Sequence, residues 1–511
     1  MSRRGCYRCR QRFAGVHVAS RLAIILVALT SITSICTEAQ ADRPPAVDHS
    51  REMYFPPIGG PQEMGDCTCW SSAYYYCTYT QARDEGLNAS TGDPNVVCSV
   101  RFLFALIAEG AWGAECTRHA MSRLSDVGCA PISMHPMGEW YTEWPITAAW
   151  VAGLNNRTGT FHQVRADDDA GLETVKQHIA DGGCAVTRAL FHENYVDYGA
   201  GASGPGIDNC VMYKGVGWNY LRHSLCICGY DDDMSYYNAD AQEWRQGAFL
   251  IANSEGPDWG WYNTADPNDP NSTKGYIWVA YQMFRDGEFG LYDHDDNPYV
   301  DPCYDNPDYP EVYFHDDRPH YRPVLYAVAG INHNSRNLLT LSGGVGPTGA
   351  PEFTGPEAIQ VTDFGDIPIN DSRRPAVDLT DGASLIPPGT TKDVFISLAV
   401  AGSATQAATI TSVDFYCDFD GDEVYTNVPG QMDSAVTVAP GTTGYVSASV
   451  TAPILGDLDG DGSVGLSDLA QLLGHYGTTS GASYEDGDLD CDGDVDLSDL
   501  AALLANYGSE P

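Results

Sequence analysis

Apolar and polar positions recur with two different periods along this chain, and the period changes as the chain proceeds. Between 67 and 86, Trp70, Ala73, Tyr74, Cys77 and Gln81 are spaced by three and four, which turns one side of a helix inward. Two further stretches, 100–108 and 116–127, keep the helical period until Gly128-Cys129-Ala130-Pro131 breaks it. From about residue 160 the texture becomes that of strands: 161–164, 185–191, 224–228, 248–252 and 275–279. One short helix, 172–180, interrupts them and is ended by Gly182-Gly183. A helical half followed by an antiparallel β half predicts an α+β, two-lobed domain with a cleft between the unlike halves.

Beyond residue 290 the pattern lapses into an aperiodic run rich in Asp, Pro and Tyr, read as a linker over 291–322. Alternating strands resume at Leu325 and continue through 338–341, 394–398, 410–415 and 445–450, separated by turns rich in Gly, Pro and Thr. That predicts an all-β sandwich accessory domain over 323–452. A small all-α domain over 453–511 closes the chain, its two helices each preceded by an acidic loop.

Charge narrows the choice of partners. The 511 residues carry a formal net charge of −42, a surface that repels nucleic acid and anionic membranes. The basic side is concentrated at the start, where Arg3, Arg4, Arg8, Arg10, Arg12 and Arg21 precede an apolar run from 22 to 35 and the small residues of Ala39-Gln40-Ala41. Residues 1–41 therefore read as an export signal, which predicts a secreted, extracellular or periplasmic protein, and no later run is long enough to span a bilayer. Of sixteen cysteines, Cys6, Cys9 and Cys36 fall in that leader, leaving thirteen. An odd number outside the cell suggests one thiol kept free and as many as six disulfides.

The free thiol has an obvious candidate. Cys67 stands at a predicted helix start, next to unpaired backbone N–H groups and the positive end of the dipole, a position that favours thiolate. Far downstream, His223 opens the strand His223-Ser224-Leu225-Cys226-Ile227-Cys228-Gly229-Tyr230, and the strand after it delivers Asn253-Ser254-Glu255-Gly256, with Trp259-Gly260 and Gly275-Tyr276 following. Cysteine nucleophiles need this kit: a thiolate, an imidazole to take and return the proton, and an amide to orient the ring.

In order and local context these segments resemble a papain-like cysteine peptidase over roughly 52–290, and the whole of 42–290 is assigned to that domain. The resemblance implies Cys67 as nucleophile, His223 as general acid/base and Asn253 as ring orienter, with Gln62 and the Cys67 backbone N–H forming an oxyanion hole. Three departures stand out. Gln62 precedes Cys67 by five residues where the family usually has six; Glu255 stands where the family has a tryptophan; and Cys69, directly before Trp70, competes with Cys67 for the nucleophile's place. Cys67 is preferred because it follows Gly65-Asp66 and leaves Trp70 one turn into the helix. Only about 25 residues separate Ala41 from Cys67, too few for an obvious inhibitory propeptide.

The tail carries a duplicated signal at an offset of 31 residues. Asp457, Asp459, Asp461, Ser463 and Asp468 recur as Asp488, Asp490, Asp492, Asp494 and Asp499, with Gly462 and Gly493 at the sixth position. Oxygen donors at positions 1, 3, 5, 7 and 12 of an EF-hand-like loop form a Ca²⁺ cage, so two calcium sites are expected. Leu466, Leu469, Leu472, Leu473 and Tyr476, repeated as Leu497, Leu500, Leu503, Leu504 and Tyr507, are read as the face each helix gives to a shared core. These paired half-EF-hands resemble a type I dockerin over about 454–508, and the resemblance implies a cohesin-like partner. The resulting expectation is a secreted cysteine peptidase acting on peptide or protein substrates and tethered by a calcium-binding tail. Two alternatives share its residues: a degraded papain-fold binding or scaffold protein whose activity is dockerin-mediated attachment, and another acyl transfer such as transpeptidation on the same Cys-His-Asn kit.

Overall fold

The computed structural model describes residues 43–63, 65–108, 116–138, 143–195, 204–217, 219–259, 274–287, 311–359, 368–419, 421, 424–490 and 492–510. The export signal expected over 1–41 and most of the expected linker lie outside these residues. The chain divides into a unit Met1–Pro45 and a unit Ala46–Pro511, and everything below concerns the second.

Its first half is built on helix α1, which runs without a break through Cys67–Cys69, Trp70–Cys77 and Thr78–Asp84. The middle segment is wound as a π-helix, a rare form that clusters at functional sites. A one-sided apolar face was expected for α1, but all of Trp70–Cys77 is buried, together with Thr68, Cys69, Thr78 and Tyr79. Helices that are buried all round lie in the middle of a core rather than on its rim. Around α1 pack α2 (Val100–Ile107), α3 (Thr117–Asp126) and α4 (Thr147–Leu154). The Ser99 hydroxyl caps α2 by accepting from the Phe102 N–H.

The β half is a nine-stranded sheet. Along its main path the order is β2 (Phe161–Arg165), β9 (Glu311–His315), β3 (Ala185–His192), β6 (Asn219–Asn238), β7 (Glu243–Ala252), β8 (Tyr276–Ala280), β5 (Val211–Met212) and β4 (Ile207–Asp208), with β1 (Ala46–Asp48) pairing β6. Register fixes which way side chains point. Cys226 and Cys228 join the apolar core of the helical half, whereas Leu225 and Ile227 join a second core beneath α5 (Asp169–Ala180). Strand β9 lies inside the stretch expected to be linker. It is tied down by His315, whose backbone N–H donates to the Tyr76 hydroxyl at 2.8 Å. Helix α6 (Tyr281–Arg285) follows β8.

Two antiparallel sheets follow: β13 (Ala376–Asp378), β10 (Leu325–Asn332), β15 (Ala408–Cys417) and β16 (Thr426–Pro429), with β17 (Val436–Val438) on β15; and β12 (Phe353–Thr354), β11 (Leu339–Val345), β14 (Thr391–Val400) and β18 (Thr443–Thr451). Their buried residues, among them Leu325, Leu341, Ile396, Phe415 and Val446, belong to the same continuous core as the helical half. Buried polar contacts lock the seam. Arg157 Nη1 pairs with Asp378 at 2.5 Å, and Arg336 Nη2 donates to the Ala105 carbonyl at 2.7 Å while its guanidinium lies 4.5 Å from the Trp144 ring.

In the tail, α7 (Leu466–His475) and α8 (Leu497–Asn506) share a small core in which only Leu472 and Leu503 of the expected faces are fully buried. Leu469 and Leu500 pack at its edge, while Leu466, Leu473, Tyr476, Leu497, Leu504 and Tyr507 are exposed. The loops fill the space that these side chains were expected to fill, through Leu458, Val464, Leu489 and Val495.

The disulfide framework expected from the cysteine count is not what the described residues contain. Cys77, Cys98, Cys129, Cys184, Cys226 and Cys228 are buried free thiols, with the Cys98 and Cys77 sulfurs 3.5 Å apart. They serve as small apolar side chains in the core of the helical half, Cys77 on α1, Cys226 and Cys228 on β6, and Cys98, Cys129 and Cys184 on the segments that join elements.

Candidate active site

The start of α1 is held from below. Asp66 caps it with its backbone carbonyl, which accepts from the N–H groups of Cys69 and Trp70 at 2.9 and 3.1 Å. Its carboxylate is fully buried and meets Arg101 Nη1 at 2.8 Å. Burial pushes that carboxyl up to about 6, against the pull of the Arg101 charge.

Cys67 and Cys69 diverge on this helix. Cys69 is inaccessible in the helical core, near enough to Cys129 to influence its ionisation. Cys67 is half-buried, on the helix start that packs against β6. Burial pushes the Cys67 thiol up; the Ser224 N–H and the Arg188 charge oppose that, and the Asp66 charge adds to it. The Ser224 hydroxyl fastens strand to helices, lying 3.1 Å from Ser71 Oγ on α1 and 3.0 Å from Thr117 Oγ1 on α3.

His223 and Asn253 meet although 30 residues separate them. The β6–β7 pairing sets Cys226 opposite Ala252, so Asn253 lies just past the end of that pairing, within reach of His223. His223 Nε2 lies 2.7 Å from Asn253 Oδ1, which also accepts from the Ser254 N–H at 2.8 Å, and both side chains are about 1 % exposed. Burial pulls the imidazole's pKa down, while the Asn253 bond and the charge of Glu255 pull the other way. Nε2 being engaged, Nδ1 is the nitrogen through which the ring can exchange a proton with a sulfur.

Gln62 is placed by the same turn that carries Asn253. Its backbone N–H donates to the Ser254 carbonyl at 2.9 Å, and its side-chain Oε1 accepts from Ser254 Oγ at 2.8 Å, so the amide nitrogen is its outward-facing donor. The approach requires glycine at 60, where φ is +94° and an added Cβ would lie 2.1 Å from the Ser254 carbonyl oxygen. The Tyr75 hydroxyl, midway along α1, donates to the Asn253 carbonyl at 2.7 Å and accepts from the Gly59 N–H at 3.0 Å. One phenol thus ties the segments carrying Gln62 and Asn253 to the helix of Cys67.

All four residues expected at the site therefore sit on segments that converge at one end of the sheet. Sequence reasoning missed three groups. Nothing in the pattern singles out Tyr195, whose hydroxyl accepts from Asn253 Nδ2 at 2.6 Å. Ser71 and Thr117 likewise carry no motif. Asp66 was visible beside Cys67, but its partner Arg101 is 35 residues on.

In the tail, one carboxylate oxygen each from Asp457, Asp459 and Asp468 lies within 4.8 Å of the others, and the same is true of Asp488, Asp490 and Asp492. Asp461, Ser463 and Asp494 stand on the same loops, where Asp461 Oδ1 accepts from the Ser463 N–H at 2.9 Å. Gly462 and Gly493 take φ of +88° and +89° and donate their N–H groups to Asp457 and Asp488 at 2.9 and 2.8 Å. Asp494 Oδ1 is buried with no hydrogen-bond donor. An all-oxygen set with an orphaned carboxylate oxygen suits a hard divalent cation.

No protein-family model matches the chain, and no curated protein matches it. Among solved structures it is similar to the bromelain protease of Ananas comosus in complex with the E64 inhibitor, at 14 % identity and a TM-score of 0.32, covering 53 % of this chain and 97 % of that one. It is also similar to the Carica candamarcensis cysteine protease CMS1MS2 in complex with E-64 (16 %, TM-score 0.30, covering 46 % and 88 %). A third is the proform of Amb a 11, a cysteine protease and major ragweed pollen allergen (17 %, TM-score 0.30, covering 48 % and 61 %). With likeness this low, the functional reading rests on the geometry of the site itself.

Proposed function

We propose that this chain is an exported cysteine peptidase of papain-like design, with a β-sandwich domain fused to its helical half and a calcium-stabilised, dockerin-like tail. The observation that carries the reading is the buried 2.7 Å contact between His223 on β6 and Asn253 just past β7, with the helix start that carries Cys67 packed on β6. A buried imidazole oriented by an amide, on a strand packed against the helix start that carries a thiol, suits proton transfer to and from that thiol.

In this reading the Cys67 proton passes to His223 Nδ1 and the thiolate sulfur attacks the carbonyl carbon of a peptide bond. The oxygen that gains charge is met by the Cys67 backbone N–H and by Gln62 Nε2. The C–N bond breaks as His223 returns its proton to the departing amine, leaving a thioester on Cys67. Water, losing a proton to His223, then attacks the thioester carbon; the acid departs and the thiol is restored. Since burial alone drives both Cys67 and His223 toward their neutral forms, their charges arise together, by transfer within the pair.

Asp457, Asp459, Asp461, Ser463 and Asp468 would hold one Ca²⁺, and Asp488, Asp490, Asp492, Asp494 and Asp499 a second. Bound there, the ions would relieve repulsion among the carboxylates beside the core the short helices share. The exposed leucine and tyrosine pairs, left over from packing, suit attachment to a cohesin-like partner.

The test is hydrolysis of a mixed peptide library by the wild type, Cys67→Ser and Cys69→Ser. Cleavage by the wild type and Cys69→Ser but not by Cys67→Ser supports the reading. Equal cleavage by wild type and Cys67→Ser moves the nucleophile elsewhere.

A further inference from the structure

The Asn253 amide is gripped at both ends. Its oxygen faces His223 Nε2 at 2.7 Å and takes the Ser254 N–H at 2.8 Å; its nitrogen donates to the Tyr195 hydroxyl at 2.6 Å. Tyr195 comes from just past β3, on the far side of β6 from Asn253, and is 3 % exposed. Its ring stands edge-on to the His223 imidazole, with centroids 6.0 Å apart and planes at 60°. Trp259 packs against the same phenol ring, with centroids 5.0 Å apart. An aromatic ring therefore borders the imidazole in this chain, although the position two residues after Asn253 holds Glu255 rather than an aromatic.

We infer that Tyr195 is a positioning residue of this site: its hydroxyl fixes the plane of the Asn253 amide so that Oδ1 stays on the His223 ring, and its ring keeps water from that contact. The inference rests on the cysteine-peptidase reading and names a part of it that no motif announces. Two features make the phenol fit the role. A hydroxyl can accept from the amide without competing for His223, which a carboxylate in its place would attract. Burial also pushes the phenol's ionisation well up, so it stays neutral and adds no charge beside the imidazolium. When His223 takes up the Cys67 proton, the Nε2–H donates to an acceptor already in place, and the imidazolium is stabilised at no cost in reorganisation.

Tyr195→Phe keeps the ring and removes the bond. Two readouts are taken on the full-length protein: kcat and KM on a cleaved peptide, and the rate of Cys67 alkylation by iodoacetamide against pH, which needs no substrate. The expected result is a roughly tenfold lower kcat with little change in KM, the worth of one buried hydrogen bond. The alkylation midpoint should rise by about half to one pH unit as the imidazolium loses support, with an unchanged circular dichroism melt. In an Asn253→Ala background, Tyr195→Phe should have no further effect, because the bond it removes is already gone. An unchanged kcat and midpoint in Tyr195→Phe overturns the inference, as does an equal loss with and without Asn253. A wild-type Cys67 that alkylates no faster than an ordinary thiol, with no peptide cleaved, overturns the underlying reading and this inference with it.

Discussion

The Cys67 site and the tail solve opposite problems. Each tail loop collects its oxygen donors within a dozen residues, repeats them 31 residues on, and closes on itself through backbone N–H groups given to its own aspartates. The Cys67 site draws Gln62, Cys67, Tyr195, His223 and Asn253 from five separate segments and ties them across the sheet and helix, by Tyr75 to Asn253, Ser71 to Ser224 and Ser254 to Gln62. A local site is specified by spacing, and in the proposed reading it would depend on its ion. A site assembled at long range is specified by a whole core, and tolerates change except where one side chain does one task.

Four experiments sharpen that contrast. The largest effect belongs to the Cys67 site. Cys67→Ser should lower peptide hydrolysis by about 10⁴-fold or more, while Cys69→Ser, a change inside the core, should leave kcat within a few-fold. Calcium removal should do the reverse. Chelation of the full chain should lower the melting transition of 453–511 by more than about 10 °C, read by limited proteolysis of the tail, while peptide hydrolysis stays within twofold. Loss of both activities on chelation would mean the two regions are coupled.

Support for the nucleophile's helix comes next. Arg101→Met strips the partner from a fully buried carboxylate and should cost about 3–5 kcal/mol in denaturant unfolding, and adding Asp66→Leu should recover most of it. A single mutant without effect would show that Asp66 is neutral in the folded protein. The smallest effect is on acid stability. Burial pushes His315 down to about 4, below its unfolded value near 6.5, so the folded state binds its proton less readily. Its stabilising contribution is full above pH 6.5 and is lost as pH falls toward 4, by at most about 3 kcal/mol. His315→Gln should flatten the stability curve over that window, and an unchanged slope would assign the loss to other groups.

The acidic loops of the tail were legible because their aspartates are set by spacing, and Asp457, Asp459 and Asp468, like Asp488, Asp490 and Asp492, do gather. The sequence also placed Cys67 at a helix start and Asn253 just past a strand end, but His223, expected to open its strand, lies four residues inside β6, which begins at Asn219. It failed where packing decides. The strand Glu311–His315 was hidden in an aperiodic stretch because its partners in the sheet lie more than 100 residues upstream. The buried thiols looked like disulfide partners because composition counts cysteines without seeing which face they occupy. On α1 the expected apolar face understated the helix, whose every side is buried between Trp70 and Cys77. The leucine and tyrosine pairs of the tail were read as core because periodicity marks a face without telling what covers it.

The central claim is that Cys67 becomes covalently acylated with His223 as its proton partner. Rapid quenching of the full-length protein with a slowly hydrolysed peptide ester, followed by mass mapping, tests it most directly. The account predicts a thioester on Cys67 in the wild type and its disappearance in His223→Ala. An adduct on Cys69, or peptide turnover with no adduct on any cysteine, would contradict it.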